Sequence, residues 1–200
     1  MYHSLVRLVL ASASPRRAEL LRAAGFEFDV DVADTDETVH PGEGPSDYAT
    51  RVARAKADIV SRRQDDAWVV AADTIVVVGD EILGKPRDRA DAARMLTLLS
   101  GREHAVMTAV VVRHGHAERA AIETTAVRVG PLEPAEIAWY VASGEPLDKA
   151  GAYAIQGLAS RFVTGIVGSY SNVVGLPVAL VCQMLRELDF AGAAPRPSGD

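Results

Sequence analysis

LVLASASPRR, the stretch Leu8–Arg17, has the pattern of an apolar strand that breaks into a small polar turn and then opens a helix. Leu8–Ala11 is the apolar run, and the residues that follow the turn have helical apolar spacing as far as Gly25. Ser14 is the natural N-cap of that helix, because Pro15 then occupies its first position. The stretch therefore predicts a strand, a tight turn and a helix in direct succession.

Arg16 and Arg17 fall in the first turn of this predicted helix, where the positive end of the helix dipole repels cations. A bound anion would remove that repulsion. Free backbone amides, the hydroxyls of Ser12 and Ser14 and two guanidiniums together form a good receptor for a phosphate chain. The alternative is an ordinary capped helix whose arginines extend into solvent, and the stretch alone leaves both interpretations open.

Composition and charge narrow the class of protein. The chain has 200 residues, 48% hydrophobic and 24% charged, which suits one globular α/β domain with a substantial core. It carries 21 basic against 27 acidic residues, and its sequence pI is near 5.4. This balance lacks the broad positive field that polymeric nucleic acid or an anionic membrane surface requires. Any phosphate site must therefore be local.

The single cysteine, Cys182, excludes an intramolecular disulfide and fits a reducing compartment. The apolar run Leu8–Ala11 is shorter than the roughly 7 residues that the core of a signal peptide needs. No apolar run approaches the length of a transmembrane helix. We expect a soluble, cytoplasmic protein with no membrane partner.

The next segments place a lysine near a helix core. A strand is expected over Phe26–Val32, followed by an acidic loop, and Ser46 is the expected cap of the next helix. Lys56 lies at the border of that helix's apolar face or points inward. The expected face consists of Tyr48, Val52, Ala55 and Ile59. Lys56 either extends along the surface to reach solvent or contacts a buried anion.

One carboxylate interrupts the apolar strand expected over Trp68–Val78. Strands of this composition are covered on both faces, so Asp73 needs a cation, a metal or hydrogen-bond donors beside it. The alternative is a structural aspartate at a β-bulge. A hairpin turn and a short strand over Glu81–Leu83 follow, and they bring Lys85 close behind the Asp73 strand.

The remaining elements complete a mixed α/β pattern. We expect two strands, His104–Val112 and Glu118–Val129, and three helices: Asp88–Leu99, Glu133–Val141 and Val178–Leu188. A functional loop is expected over Asp148–Gly157, because it mixes charge and glycine with a short strand. Three histidines without metal-ligand company are expected at the surface: His104, His114 and His116.

An ordered set of motifs now resembles the Maf family of nucleoside triphosphate pyrophosphatases, over about residues 5 to 188. The set comprises Ser12–Arg17, Ala72–Thr74, Gly84–Pro86, Leu99–Gly101, Asp148–Tyr153 and Ser169–Pro177. No single motif is specific, but their unbroken order is. They include the residues that looked unusual on chemical grounds.

The resemblance implies a fold similar to the inosine triphosphate pyrophosphatases, with an elongated mixed β-sheet flanked by helices and two lobes around a nucleotide cleft. It implies a single domain over residues 1–190 and a homodimer. The Gly, Ala and Pro-rich composition of residues 191–200 predicts a disordered tail. The implied activity is hydrolysis between the α and β phosphates of a nucleoside triphosphate substrate. A divalent cation, Mg²⁺ or Mn²⁺, is the implied cofactor.

The resemblance also implies roles for nine residues. Asp73 matches the presumed general base; the specificity positions match Arg16, Thr74 and Gln156, and further cleft positions match Ser12, Arg17, Glu37, Lys56 and Lys85. The chemistry agrees, because phosphoanhydride hydrolysis needs neutralised phosphate charge, a hard cation and an oriented water. Arginines and lysines would hold phosphate, while Glu37 and Asp73 are suitable metal ligands. Asp73 can be ligand, base or both.

The residues at the three specificity positions are similar to those of the branch that hydrolyses dTTP and UTP. A glutamine amide offers a donor beside an acceptor, which complements the imide edge that thymine and uracil share. Two alternatives remain. One is a nucleotide-binding regulator that inhibits septum formation, and the other is a Maf pyrophosphatase of broader or modified-nucleotide specificity.

Overall fold

A seven-stranded mixed β-sheet carries the fold in a computed structural model that describes residues 7–193. The strands are β1 (Leu8–Ala11), β2 (Asp29–Val30), β3 (Trp68–Val78), β4 (Glu81–Leu83), β5 (Glu103–His114), β6 (Ala117–Val129) and β7 (Val163–Val167). The helices are α1 (Pro15–Ala23), α2 (Pro45–Ser61), α3 (Arg89–Leu99), α4 (Pro134–Ala142), α5 (Tyr170–Val174) and α6 (Val178–Glu187). Short 3₁₀ helices lie at Glu145–Asp148, Ala150–Ala152, Leu158–Arg161 and Ala191–Ala193.

The sheet has the order β2-β1-β3-β5-β6-β7, with β4 paired to β3. β1 is parallel to both β2 and β3, whereas β4 runs antiparallel to β3 and β7 antiparallel to β6. The parallel pairs need crossover connections, and α1 and α2 supply them. The predicted mixed α/β class is therefore confirmed.

One compact unit contains the described residues up to Asp73, together with 109–122 and those from Gly175 onward. β1 and the first half of β3 lie buried in it, because both strands are apolar on both faces. Its core includes Leu10, Leu21 and Val70.

The second compact unit contains residues 74–108 and 123–174. Its core gathers the second half of β3 with α3, α4 and β6, through side chains such as Leu96, Val127 and Tyr140. Phe162 packs its ring edge-on against that of Tyr140, with ring centroids 5.7 Å apart.

Two expectations about α2 are wrong. Its N-cap is Gly44, with Pro45 in the first turn, so Ser46 lies inside the helix instead of capping it. Proline starts the helix because its fixed φ suits that position and it has no amide to satisfy. The buried face is also rotated, since Ala55 and Ile59 are only half-buried while Ala53, Ala57 and Val60 are fully buried beside Tyr48 and Val52.

The structure also differs from the expected strands and tail. The strand expected over Phe26–Val32 is only Asp29–Val30, because the valines at its end are about half exposed. The sequence pattern predicts no strand over Val163–Val167, where β7 lies. Residues 191–193 of the expected disordered tail form a 3₁₀ helix, and residues 194–200 lie outside the described part of the chain.

His104 is buried in β5, so its expected surface position is wrong. Its Nε2 lies 2.8 Å from the hydroxyl of Tyr153. His114 is half-buried and stacks on Trp68, with ring centroids 4.4 Å apart, whereas His116 is exposed as expected. Within residues 7–193, no helix is both long and apolar enough to cross a membrane.

Candidate functional site

The turn between β1 and α1 is organised by Ser12 as much as by the expected cap. Ser14 is the N-cap and Pro15 begins the helix, as predicted, but the Ser14 hydroxyl makes no capping hydrogen bond. Instead, the Ser14 amide donates to Ser12 Oγ at 3.2 Å. The buried Ser12 hydroxyl therefore fixes the turn from inside.

Arg17 is buried, so the alternative in which both arginines extend into solvent does not describe it. Its Nε donates to the carbonyl of Gly175 at 2.7 Å, and its Nη1 donates to the carbonyl of Ala72 at 2.9 Å and to Ser12 Oγ at 3.1 Å. These bonds tie α1 to β3 and to the segment before α6. Arg17 therefore has a structural role in the first turn of α1, although the helix dipole disfavours a cation there. Its contact with a substrate phosphate stays a prediction.

The positive charge of Arg17 also acts on its neighbours. Burial lowers the pKa of Arg17, while the carboxylates of Asp73 and Glu37 oppose that change. Arg16 adds a like charge beside it and is half-buried. The arginines at the start of α1 therefore create a positive electrostatic potential at the carboxylates of Asp73 and Glu37.

Lys56 contacts one buried and one partly exposed carboxylate instead of extending to solvent. Its Nζ lies 2.8 Å from Asp73 Oδ1 and 2.7 Å from Glu37 Oε1. The side chains of Lys56 and Asp73 are only 11% and 10% exposed, whereas that of Glu37 is 42% exposed. One ammonium therefore joins a buried carboxylate on β3 to a carboxylate on the loop before α2.

Burial raises the pKa of Asp73 above its ordinary value, because desolvation penalises the carboxylate. The Lys56 ammonium and the Arg17 guanidinium act in the opposite direction. Asp73 therefore has the cationic partners that a buried carboxylate needs. A carboxyl group with a raised pKa beside cations is a common feature of catalytic sites.

The donor set suits a divalent cation that also binds substrate. No group of three or more histidine, cysteine or acidic residues within residues 7–193 could hold a metal by itself. Mg²⁺, however, is commonly bound by one or two carboxylates plus substrate phosphates. The carboxylates of Glu37 and Asp73, which converge on one ammonium, fit that pattern.

Thr74, the next residue on β3, belongs to the second unit and pairs with a buried threonine. Its Oγ1 lies 2.9 Å from Oγ1 of Thr108 on β5, which sequence reasoning missed. Thr108 Oγ1 in turn lies 3.5 Å from the carbonyl of Asn172. This chain of contacts restricts the orientation of the Thr74 hydroxyl.

Two family motifs meet in the second unit. The amide of Gly151 donates to the carbonyl of Gly84 at 3.0 Å, so the loop carrying Lys85 is held by the segment after α4. Gly151 has a φ of +68°, and an added Cβ would lie 2.8 Å from Val76 Cγ2, so no other residue fits there. Lys85 itself is exposed.

Gln156 lies exposed in a turn and not after a strand, so the expected short strand in this segment is wrong. Glu145 fixes the turn. Its carboxylate accepts from the hydroxyl of Tyr140 at 2.8 Å and from the amide of Leu158 at 3.0 Å. Gly157 makes this approach possible, since a Cβ there would lie 2.3 Å from Glu145 Oε1.

Sequence reasoning also missed the residues that hold Glu37. Arg51 on α2 forms a two-point ion pair with Glu43, and Tyr48 binds the carbonyl of Glu37. Their spacing was available, because Tyr48, Arg51 and Lys56 lie within two and a half turns of one helix. The apolar spacing of α2 identifies Tyr48 only as a core residue and gives no sign of the hydrogen bond that its hydroxyl makes.

Comparison with known proteins identifies the family of the chain. The family model described as Maf-like protein matches residues 7–188. A dTTP/UTP pyrophosphatase of Anaeromyxobacter sp. (strain Fw109-5) is 57% identical over 185 residues, covering 90% of this chain and 88% of that protein. A dTTP/UTP pyrophosphatase of Myxococcus xanthus (strain DK1622) is 53% identical over 179 residues, covering 90% and 91%.

A solved structure of a HAM1 protein from Coxiella burnetii shares the fold at a TM-score of 0.50. It is 15% identical and covers 92% of this chain and 100% of that chain, so the likeness concerns the fold alone. The family model spans nearly the whole described chain, and the relatives are more than half identical over it. The chain therefore belongs to the Maf family.

Proposed function

We propose that this protein hydrolyses nucleoside triphosphates, dTTP and UTP foremost, to the nucleoside monophosphate and pyrophosphate. The names of its relatives support the reaction and the substrates. The observation that carries the proposal is the ammonium of Lys56 held between the carboxylates of Asp73 and Glu37. These three residues match the family positions for phosphate chemistry.

The first task of the site is to balance the charge of a triphosphate. Arg16 and Lys56 supply positive charge in the first unit, with Arg17 adding potential from its buried position. Ser12 supplies a hydroxyl, and the family resemblance assigns a further cation, the exposed Lys85, to the phosphates. Phosphoryl chemistry depends chiefly on such positioning and electrostatic stabilisation.

Asp73 is proposed to act as general base, as metal ligand or as both. Its raised pKa brings it closer to the range in which a carboxylate accepts a proton from water efficiently. Lys56 holds the carboxylate in one orientation at 2.8 Å. As Asp73 takes a proton from a water molecule, the resulting hydroxide oxygen would attack the α phosphorus and the bond to the leaving pyrophosphate would break.

Glu37 and Asp73 are the residues proposed to hold Mg²⁺ or Mn²⁺. The cation supplies charge neutralisation on the phosphate oxygens when bound. The pair of carboxylates supports this assignment, since phosphate oxygens of the substrate complete such sites elsewhere.

Base choice is proposed to rest on Arg16, Thr74 and Gln156. The amide of Gln156 can donate to a ring carbonyl and accept from the ring imide, as thymine and uracil require. Its exposed position leaves the amide accessible. Thr74 is held by Thr108, which limits the directions in which its hydroxyl can bond.

The proposal places the enzyme in the cytoplasm as a homodimer that acts on small nucleotides. The family resemblance supports the dimer. The formal charge of −6 argues against polymeric nucleic acid, and one cysteine suits a reducing compartment.

The test is pyrophosphate release from dTTP, UTP, CTP and GTP, with Mg²⁺ or Mn²⁺, by the parent and by Asp73→Asn. We expect turnover of dTTP and UTP above the other two nucleotides in the parent. The asparagine variant should bind nucleotide and turn over far less. Absence of turnover for every nucleotide would refute the proposal.

A further inference from the structure

We infer that Arg51 is a positioning residue for the reaction, which acts by holding the loop that carries Glu37. The inference rests on the proposed function, since it takes Glu37 to be part of the catalytic machinery. Arg51, Tyr48 and Glu43 form the device, here called the loop clamp. It lies entirely within the first unit.

The core of the loop clamp is a two-point ion pair. Arg51 Nε lies 2.6 Å from Glu43 Oε1, and Arg51 Nη2 lies 2.8 Å from Glu43 Oε2. The side chain of Glu43 is only 10% exposed and that of Arg51 30%. Bidentate pairs of this kind are among the stronger charge-assisted hydrogen bonds. The Arg51 hydrogen bonds lower the pKa of Glu43 to about 2, which keeps it ionised.

The same guanidinium also reaches the loop backbone. Arg51 Nη2 donates to the carbonyl of Thr38 at 2.9 Å, and Nη1 lies 3.5 Å from the carbonyl of Asp36. Tyr48 OH donates to the carbonyl of Glu37 at 2.8 Å. The guanidinium lies over the Tyr48 ring, 5.4 Å from its centroid. Three successive carbonyls around Glu37 are therefore fixed from one helix.

Two further hydrogen bonds join backbone amides of the loop to nearby side chains. The amide of Thr38 donates to Asp36 Oδ1 at 2.9 Å, and the amide of His40 donates to Glu43 Oε2 at 3.0 Å. Residues 31–40 contain no helix or strand. Their order therefore depends on such side-chain contacts. These contacts must offset the conformational entropy that is lost when an irregular backbone is fixed.

Glu37 is the residue that gains from this order. Lys56 and Asp73 stand on a helix and a strand, whereas Glu37 stands on the loop and is 42% exposed. Without the loop clamp its carboxylate would sample many positions and leave Lys56 Nζ. A loss of about 1 Å in placement can cost up to about 100-fold in rate. Arg51 thus completes the group through Glu37 without touching substrate.

The experiment compares Arg51→Gln, Glu37→Gln and the double variant by kcat and KM for dTTP. We expect Arg51→Gln to lower kcat/KM by about 10-fold to 100-fold in the parent background. In the Glu37→Gln background the same change should have little further effect, because the carboxylate it positions is gone. Arg54→Gln is the matched control, an arginine on α2 in an exposed pair with Glu118, and it should leave both constants unchanged.

Amide hydrogen exchange supplies a readout independent of activity. Arg51→Gln should accelerate exchange across residues 36–40, and Tyr48→Phe should do so to a smaller extent while keeping the core ring. If Glu37→Gln retains full activity, the proposed role of Glu37 fails. If Glu37→Gln is impaired and Arg51→Gln is not, or if Arg51→Gln costs equally in both backgrounds, the positioning role is overturned.

Discussion

Lys56 Nζ and Asp73 Oδ1 lie 2.8 Å apart with both side chains about nine-tenths buried. A buried carboxylate needs such a partner, because desolvating an unpaired charge is costly. The pair is not a closed unit, since the same ammonium also binds the partly exposed Glu37. One buried charge is therefore linked to a carboxylate within reach of solvent, as the proposed phosphate and metal site requires.

Arg17→Gln should destabilise the fold, contrary to what a solvent-facing or purely anion-binding arginine would predict. The carbonyls of Gly175 and Ala72 would each lose a buried charged donor. We expect the free energy of unfolding to fall by about 2 to 5 kcal/mol. The measurement is urea unfolding, with Arg22→Gln as the exposed control on the same helix.

Arg22→Gln should change the free energy of unfolding by less than about 1 kcal/mol, because Arg22 is exposed in the last turn of α1. Equal midpoints for the parent and Arg17→Gln would show that the buried contacts of Arg17 contribute nothing to stability.

Local signals in the sequence were sufficient for much of the fold. The strand Trp68–Val78 and the helix start at Pro15 were correctly bounded, because β-branched runs, proline and glycine act within a few residues. Helical spacing placed Lys56 at or inside the border of the apolar face of α2 but left open whether its ammonium reaches solvent or an anion. Residue spacing could not predict the carbonyl groups to which Arg17 donates, since Gly175 lies 158 positions away in the chain.

Gly157→Ala should weaken discrimination between bases. The new methyl group would collide with the Glu145 carboxylate, which three donors hold in place: Tyr140 OH and the amides of Leu158 and Ala159. The turn carrying Gln156 must then shift. We expect the ratio of kcat/KM for dTTP over GTP to fall, measured by pyrophosphate release.

Gly165→Ala is the matched control, because a Cβ at this glycine of β7 meets nothing within 4 Å. It should leave the dTTP to GTP ratio unchanged. A ratio equally unchanged in Gly157→Ala would show that the Glu145 contacts do not support base choice.

Gln156→Glu tests the proposed contact between Gln156 and the base directly. The change replaces a donor by a charged acceptor, which should cost about 1 to 3 kcal/mol against dTTP and UTP. GTP should lose less, since guanine offers adjacent donors. The measurement is kcat/KM for the four nucleotides. A uniform fall for all of them would mean that Gln156 does not contact the base.

His104→Gln should reduce the acid sensitivity of stability. Burial lowers the pKa of His104 to about 4, against about 6.5 in the unfolded chain. The unfolded state therefore binds a proton first, and stability present above pH 6.5 is lost as the pH falls toward 4. We expect the variant to lose up to about 3 kcal/mol less than the parent between pH 7 and about 4. Parallel pH profiles from urea unfolding would contradict this.

The need of Asp73 for a charged partner was predictable from the sequence, but the contacts that hold the surrounding segments were not. Asp73 could be identified because a carboxylate inside an apolar strand demands a partner. His104 was misplaced because a histidine in an alternating strand carries no sign of which face is covered, and Tyr153 lies 49 positions away. Arg51 and Glu145 act through backbone groups of other segments, which a linear pattern does not reveal.

The most direct test of the central claim is the identity of the products of dTTP hydrolysis by the parent and by Asp73→Asn. We predict dTMP and pyrophosphate in equal amounts from the parent. In the variant, kcat should fall by about 100-fold to 10,000-fold, with dTTP still bound. Formation of dTDP and inorganic phosphate, or a variant that keeps more than half of the parent kcat, would contradict the proposed reaction.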